Sequence, residues 1–301
     1  MNDVYLHGMI LITNSFLLKG AYPKPDTYGE IKKSYALPGG ETGTAATILS
    51  NFGCSVRMEG TYMGKHTYPK IIDFYKDKSV DTSGLYLDET FDGLEDYVII
   101  DIDTRTPFGT FEDFYTNGLK RWQEPHKDAL LSCKVAGLDP WFEKSTLEVV
   151  AVCVDNKIPY VAIDCPYDSE LHRYCTVNVL SNEFISMNYP GADRNELFQK
   201  YIENTEGLVI FTLGAKDILY GRKGQPELPK HFKPYSIKVV STLGAGDSFK
   251  AGCIYAVLQN MQDDDIVSFA AATAACACTV FPLPLNPPSL TSVQALISER
   301  Q

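Results

Sequence analysis

The sequence lacks three features that would each have pointed to a partner. It has no uninterrupted apolar run of 18 residues, so a transmembrane helix is not expected. It has no basic stripe, and its formal net charge is −11, which disfavours binding to the phosphates of a nucleic acid. It has no GxGxxG after its first strand-like run, which argues against a dinucleotide-dependent oxidoreductase. We therefore expect neither a membrane nor a nucleic-acid partner.

The eight cysteines are scattered and mostly lie in apolar runs, as reduced thiols of a reducing compartment do. Cys276 and Cys278 are one residue apart, but no histidine or second cysteine pair lies nearby, which favours a buried helix over a metal site. The first residues contain no basic segment followed by an apolar run. We therefore expect no export signal and a cytoplasmic location.

The most informative stretch is STLGAGDSFKAG, residues 241–252. Gly244, Ala245 and Gly246 leave the backbone nearly bare at the start of an apolar helix, so their N–H groups can point at one anion. A carboxylate beside a bound phosphate would repel it, and Asp247 is better explained as a base that takes a proton from an attacking hydroxyl. The stretch predicts phosphoryl transfer to an alcohol, and the alternative is an ordinary helix N-terminus.

The rest of the chain predicts an α/β fold with a doubly wound, mostly parallel sheet flanked by helices. After residue 122, short apolar strands alternate with helices, and residues 4–12 and 235–240 also have strand-like composition. Polar residues follow several strands, at the edge where such sheets bind ligands. These residues are Asp139, Asp164, Asn182 with Glu183, and Thr212 with Gly214. We predict a single domain over residues 1–301.

Two segments do not fit the alternating pattern and predict a small β lid. Residues 13–36 are broken by prolines and a glycine, and residues 85–118 contain a run framed by acids and glycine that is typical of a hairpin. We expect the two segments to cover one site together. Gly39 and Gly40 precede a helix and would let the backbone approach a ligand closely, although a plain loop-to-helix junction explains them equally well.

The glycine turn resembles the GAGD signature of the ribokinase-like (PfkB-type) family of sugar and nucleoside kinases. Three further features occur in the order of that family: a GG pair before a helix, an Asn-Glu pair after a late strand, and FTLGAKDILYG before the turn. The resemblance implies a doubly wound sheet with a β lid. It also implies phosphorylation of a hydroxyl on a sugar or sugar-like molecule with ATP and Mg²⁺, and lid strands that in some members pair two subunits into a homodimer.

Carried over by position, the resemblance assigns Asp247 as the catalytic base and the amides of Gly244, Ala245 and Gly246 as the anion hole. The residues it implies for the nucleotide are Thr212, Gly214, Thr242 and Asn182, and those for the substrate are Thr13, Asn14, Gly39, Gly40 and Thr44. Arg105 lies in the predicted lid and would meet an anionic substrate group, although a solvated lid charge explains it equally well.

Four positions depart from the family pattern. Thr13 followed by Asn14 stands where the family has an Asp, and Thr44 stands where it has an Asn. Ile185 occupies the Glu position of the Asn-x-x-Glu motif, which leaves Glu183 as the candidate metal ligand, and Ser241 replaces an acid. Because these departures affect substrate and metal positions, a sugar- or nucleotide-binding protein without turnover is the alternative to a kinase.

Overall fold

The computed structural model of the protein describes residues 2–111, 114 and 120–300. Its strands divide into a large sheet, a lid sheet and one short pair. In chain order they are β1 Val4–Gly8, β2 Leu11–Leu18, β3 Ile31–Gly39, β4 Val56–Gly60, β5 Met63–Gly64, β6 Val80–Asp81, β7 Leu87–Asp88, β8 Glu95–Ile100, β9 Arg105–Gly109, β10 Val135–Leu138, β11 Tyr160–Ile163, β12 Val177–Ser181, β13 Leu208–Thr212, β14 Ile218–Gly221 and β15 Lys230–Phe232.

The helices alternate with the strands of the large sheet through most of the chain. They are α1 Gly40–Asn51, α2 Tyr68–Tyr75, α3 Lys127–Leu131, α4 Glu143–Asn156, α5 Glu170–Arg173, α6 Asn182–Asn188, α7 Arg194–Glu203, α8 Ala245–Leu258, α9 Asp263–Cys278 and α10 Leu290–Ser298, with short 3₁₀ turns at Pro140–Phe142 and Leu283–Leu285. None of these helices, within the described part of the chain, combines the length and the apolar composition that crossing a membrane requires.

The large sheet has nine strands in the order β15-β14-β13-β12-β11-β10-β1-β4-β6. The strands from β13 to β6 are parallel, and β14 and β15 extend the sheet as antiparallel neighbours. Both faces are covered, since Val4 and Leu6 pack in one apolar cluster and Tyr5 in another. This burial explains why the strands are continuously apolar, and it confirms the predicted fold class.

The lid is a four-stranded sheet in the order β3-β2-β8-β9. β2 pairs antiparallel with β3, and β8 pairs antiparallel with β9, so each segment forms a hairpin-like pair. A parallel pairing of β2 with β8 joins the two pairs, with Thr13 opposite Asp96. The two sequence-distant segments thus form one sheet, although residues 112, 113 and 115–119 of the second segment lie outside the described part.

The prediction of one continuous strand over residues 4–12 is wrong. The backbone leaves β1 after Gly8, and side chains hold the next two amides: the Met9 N–H donates to Oδ2 of Asp139 and the Ile10 N–H to Oγ1 of Thr61. Because these bonds replace a strand neighbour, the chain turns from the large sheet into the lid. Thr13 therefore lies within β2 and not at the end of the first strand.

The predicted strand over residues 235–240 is also wrong. These residues belong to no strand of the described sheets, and the Val240 N–H donates to the carbonyl of Cys278 at the end of α9. Val239 and Val240 are both exposed to solvent. The apolar composition that suggested a strand reflects a connecting segment whose hydrogen bonds go to a helix C-terminus.

Candidate active site

A cavity of about 740 Å³ lies between the lid and the edge of the large sheet. Its walls include the lid strands, the start of α1, the glycine turn that opens α8, residues of α6 and the segment 280–284. At the sheet, Asp164 and Ser181 line it where β11 and β12 end. A cavity of this size at the carboxyl ends of parallel strands is the usual place and form of a small-molecule site.

The glycine turn has the geometry of an anion site. Gly244 precedes α8 in the left-handed region at φ +76°, and a Cβ atom there would lie 2.8 Å from Cδ2 of Leu283. A Cβ atom at Gly246 would meet no described atom within 4 Å, so the space in front of its backbone is open. Both residues line the cavity, together with Ala245. The N–H groups at the start of this 14-residue helix therefore border a space that can hold an oxyanion, and that of Ala245 donates to the Thr242 carbonyl at 3.2 Å in this structure.

Asp247 is the third residue of α8 and lines the same cavity. Burial raises its pKa to about 6, and the negative charge of Asp139 adds to this effect. The positive charges of Lys250 and Arg105 and a hydrogen bond from Thr44 act in the opposite direction. The carboxyl is therefore ionised at neutral pH but is a stronger base than an ordinary aspartate, as a general base for a hydroxyl requires.

A buried ion pair lies next to Asp247. The Nζ of Lys250 bonds to Oδ1 of Asp139, and both side chains are fully buried. The other carboxylate oxygen of Asp139 accepts from the Met9 N–H at 2.8 Å and the Thr42 hydroxyl at 3.0 Å. Through these bonds Asp139 holds the junction between β1 and β2 in place. Its side chain is not part of the cavity lining.

The lid contributes Asp96 to the cavity wall. The residue lies opposite Thr13 in the β2–β8 pairing, and both residues line the cavity. Burial raises the pKa of Asp96 to about 6, a hydrogen bond with Thr13 opposes the shift, and the charge of Asp247 adds to it. Its Oδ1 atom is buried without a hydrogen-bond partner in the described part of the chain. A carboxylate thus lies beside Thr13 on the neighbouring strand.

Glu41 contributes a second acid from the start of α1. It follows Gly40, which has φ +75° and whose backbone passes so close to Met9 that a Cβ atom would lie 2.5 Å from the Met9 carbonyl oxygen. Burial raises the pKa of Glu41 to about 8, and the charges of Asp139 and Asp247 add to this. Its Oε1 accepts from the Trp141 indole at 3.1 Å.

Arg105 links the lid to the glycine turn. Its guanidinium donates to the Thr242 hydroxyl at 3.3 Å and to the Thr242 carbonyl at 3.4 Å, and it lies 3.8 Å from the Glu183 carboxylate. The residue begins β9 and lines the cavity. This contact holds the second lid hairpin over the glycine turn.

The end of β11 and the start of α6 contribute Asp164 and Glu183 to the cavity wall. Asp164 accepts hydrogen bonds from the Ser181 N–H and hydroxyl at 2.7 and 3.0 Å, and burial raises its pKa to about 6. Ile185, at the position where the resemblance places a Glu, is fully buried in an apolar cluster. A carboxylate there would point into the core, so reverting Ile185 to Glu would not rebuild a metal ligand.

The structure brings most of the predicted site residues together. Those that line the cavity are Thr13, Gly39, Gly40, Thr44, Arg105, Glu183, Gly244, Ala245, Gly246 and Asp247. Those outside its lining are Asn14, Asn182, Thr212, Gly214 and Thr242. Asn14 is instead turned along the lid, where its amide donates to the Glu95 carboxylate at 2.8 Å.

Three residues near the site were missed by the sequence analysis: Glu41, Asp96 and Lys250. Glu41 follows the GG pair directly, so its position was a usable signal. Lys250 lies one helical turn after Asp247. Because the surrounding residues of this helix are mostly apolar, the sequence does not indicate that the lysine side chain is buried close to the Asp247 carboxylate. Asp96 had no such signal, because only the pairing of β2 with β8 brings it to Thr13.

Comparisons with known proteins agree with this geometry. The sequence model of the pfkB family carbohydrate kinases matches residues 127–282, which is more than half of the chain. The chain therefore belongs to this family, and the resemblance expected from the glycine turn is confirmed. The matched segment contains Asp139, Asp247 and Lys250 but neither the lid nor α1.

Individual relatives match over shorter stretches. A 1-phosphofructokinase of Vibrio cholerae is 32% identical over 114 residues, which are 38% of this chain and 32% of that protein. A ribokinase of Haemophilus influenzae is 35% identical over 71 residues, or 24% of this chain and 22% of that protein. The matches thus span a third or less of these relatives. The structure of Arabidopsis thaliana ribokinase with ribose and ATP has a TM-score of 0.78 and 17% identity, with 98% of each chain covered, which shows a shared fold.

Proposed function

We propose that the protein transfers the γ-phosphoryl group of ATP to a hydroxyl of a sugar or sugar-like molecule. One observation carries this proposal: Asp247, with a raised pKa, lies directly behind an open glycine turn in a cavity that a lid covers. A base, an anion site and shielding from water are the three parts that phosphoryl transfer to an alcohol needs.

In the proposed reaction, Asp247 takes the proton of the acceptor hydroxyl while the oxygen of that hydroxyl forms a bond to the γ-phosphorus. The bond from that phosphorus to the β–γ bridging oxygen breaks, and ADP leaves with the electron pair. The N–H groups of Gly244, Ala245 and Gly246 hold the charge on the transferred group, and that of Ala245 must leave its bond to the Thr242 carbonyl to take part. Arg105 holds the lid over the turn and limits access of water, which would otherwise compete as acceptor.

The residues present fit ATP with Mg²⁺. Asp164 and Glu183 place carboxylates on the wall beside the glycine turn, and the described residues contain no group of three acids, histidines or cysteines that would hold a metal alone. This suits a Mg²⁺ ion bound mainly by phosphates and water, which neutralises phosphate charge when present. Thr212, Gly214, Thr242 and Asn182 stay predicted contacts of the nucleotide, and a homodimer through the lid stays a prediction.

The direct test is ADP release from ATP and Mg²⁺ with a panel of sugars, amino sugars, sugar acids, polyols and nucleosides. The proposal requires turnover that depends on one acceptor and gives the phosphorylated acceptor as a product. Binding of ATP and of a sugar without turnover would instead support the binding-protein alternative. That alternative rests on the buried Ile185 at the position of the motif Glu.

The pH dependence of turnover follows from the raised pKa of Asp247. The base works only when ionised, so we expect kcat/KM for the acceptor to fall as the pH drops through about 6. An aspartate with its ordinary pKa would stay active to about pH 4. The measurement is kcat/KM between about pH 3.5 and 8, because this ratio reports the pKa of the free protein. An acid limb near pH 4 would show that Asp247 is not perturbed as described.

The space at Gly246 gives a second prediction. Gly246→Ala puts a methyl group where the phosphate would bind, and we expect kcat/KM for ATP to fall about 100-fold. The methyl group meets no described atom and alanine favours a helix, so thermal stability should be equal or higher. Gly20→Ala, which also adds a methyl group in open space but in the lid, is the matched control and should keep full activity. Equal activity of both variants would remove the turn from the mechanism.

A further inference from the structure

Arg105 is the one cationic side chain among the described residues that line the cavity. Its nearest carboxylate is that of Glu183 at 3.8 Å, and the two side chains are 36% and 68% exposed, so this ion pair is weak. Its hydrogen bonds go to neutral oxygens of Thr242 at 3.3 and 3.4 Å, whereas a guanidinium bound to an anion makes bonds of about 2.7–2.9 Å. The positive charge of Arg105 is therefore only loosely matched by the described residues around it.

The carbonyl oxygen of Thr242 accepts from two donors that belong to different parts of the fold. One donor is Nη1 of Arg105 on the lid, and the other is the N–H of Ala245 in the glycine turn, at 3.2 Å. Because both donors bond to one oxygen atom, the guanidinium borders the same space as the amide of the anion site. A backbone amide and a guanidinium are also the usual partners of a phosphoryl oxygen.

The position of Arg105 relative to the base also differs from that of the other nearby cation. Burial raises the pKa of Asp247, and the positive charges of Lys250 and Arg105 both oppose this effect. Lys250 acts from the core, where its side chain is fully buried against Asp139, whereas Arg105 acts from the cavity wall. In an in-line transfer the phosphoryl group passes between the hydroxyl at the base and the leaving oxygen. A guanidinium that neighbours both Asp247 and the glycine turn therefore lies beside the path of that group.

We propose that Arg105 is a catalytic residue, which leaves the Thr242 carbonyl and bonds to an oxygen of the transferred phosphoryl group. This inference rests on the proposed function and adds a residue to its mechanism. A phosphoryl oxygen carries negative charge and is a better acceptor than a neutral carbonyl, so it takes the Ala245 N–H and the guanidinium from Thr242 together. The guanidinium stays protonated throughout, and the proton of the acceptor hydroxyl still goes to Asp247.

The first test is turnover of three variants. Arg105→Met removes the charge, and we expect kcat to fall about 100-fold with every acceptor, as for the loss of one donor to the developing charge. Arg105→Lys keeps the charge without the planar fork and should lie between this variant and the wild type. Lys33→Met is the matched control, because Lys33 is exposed on β3, the other edge strand of the lid, and this variant should keep full activity.

A binding measurement tests the same contact without turnover. Calorimetric titrations with β,γ-methylene-ATP and with ADP, each in the presence of Mg²⁺, differ only in whether a group occupies the γ-phosphoryl position. Arg105→Met should weaken the binding of β,γ-methylene-ATP about 10-fold and leave the binding of ADP unchanged. Unchanged binding of ADP also shows that the variant is folded. A residue that only holds the lid closed would affect both nucleotides alike.

The outcomes separate this inference from the proposed function. Equal loss of affinity for both nucleotides, no loss for either, or a loss of turnover confined to anionic acceptors would overturn the inference. Selective loss of affinity for β,γ-methylene-ATP, in a protein that turns over no acceptor, would support the inference and overturn the kinase. Turnover that Arg105→Met leaves at the wild-type rate would support the kinase and overturn the inference. A wild-type protein that binds neither nucleotide would overturn both.

Discussion

Asp247→Asn is expected to lower kcat about 10³-fold and to leave the affinity for ADP nearly unchanged. The substitution keeps the shape of the side chain and removes the base, and a positioned general base commonly contributes between about 10² and 10⁴ to the rate. The glycine turn stays intact, because the bonds of Gly244 and Ser248 in the first turn do not involve the Asp247 side chain. The measurements are single-turnover rates and ADP titrations on wild type and variant.

The same variant should be at least as stable as the wild type at neutral pH. Since the pKa of Asp247 is raised in the folded protein, its contribution to stability is present below the unfolded pKa, near 4, and is lost as the pH rises through about 6. The variant has no carboxylate that ionises at this position, so it does not lose stability in this way. The melting temperature of the variant, relative to that of the wild type, should therefore rise as the pH increases from about 4 to about 6. A melting temperature that is lower at pH 7 would contradict the account of a desolvated base.

Asp265→Asn is the matched control for this experiment. Asp265 is the third residue of α9, as Asp247 is the third residue of α8, but it is exposed to solvent. Removing it deletes a carboxylate from the same position of a helix without touching the cavity, and turnover should be unchanged. Comparable loss in both variants would mean that the helix N-terminus, and not the base, accounts for the effect.

The architecture was predictable because periodicity is a local property of the sequence. Buried parallel strands are continuously apolar, and the helices between them have clear boundaries, as at α4, which ends before the left-handed residue Lys157. The errors occur where a group from elsewhere in the chain, either a side chain or the carbonyl at a helix C-terminus, takes the hydrogen bonds expected of a strand neighbour. Asp139 takes the Met9 amide and so ends β1, although it is 130 residues away in the chain.

The site was predictable at the glycine turn and not at the lid. The turn from Gly244 to Asp247 is contiguous, so its chemistry can be inferred from the order of residues alone. The lid side is assembled across strands, and Asp96 reaches the cavity only because β8 pairs with β2. A carboxylate absent at Thr13 was therefore interpreted as a loss, although one lies beside it on the neighbouring strand.

The buried pair of Lys250 and Asp139 gives the largest expected effect on stability. Lys250→Met leaves the Asp139 carboxylate buried without its counter-charge, and breaking such a pair costs about 3–5 kcal/mol of unfolding free energy. Asp139→Asn should cost a similar amount, because it leaves the ammonium buried. Urea titrations give these values, and Lys134→Met, which removes an exposed partner of Asp3, should cost at most about 1 kcal/mol.

The double variant tests whether the contributions of Lys250 and Asp139 to stability depend on each other. Asp139→Asn with Lys250→Met removes both charges and keeps an acceptor for the Met9 and Thr42 donors, so we expect most of the lost stability to return. Additive losses would show that the two side chains act independently.

The pair also makes a prediction about the base. Lys250 lowers the pKa of Asp247 and Asp139 raises it, so Lys250→Met should move the acid limb of kcat/KM to higher pH. The double variant should move that limb back, because the opposing charge of Asp139 is then also absent. If the acid limb lies at the same pH in the wild type, the single variant and the double variant, the Lys250–Asp139 pair contributes only to stability. If the limb shifts in opposite directions in the single and the double variant, the pair also sets the pH at which Asp247 is active.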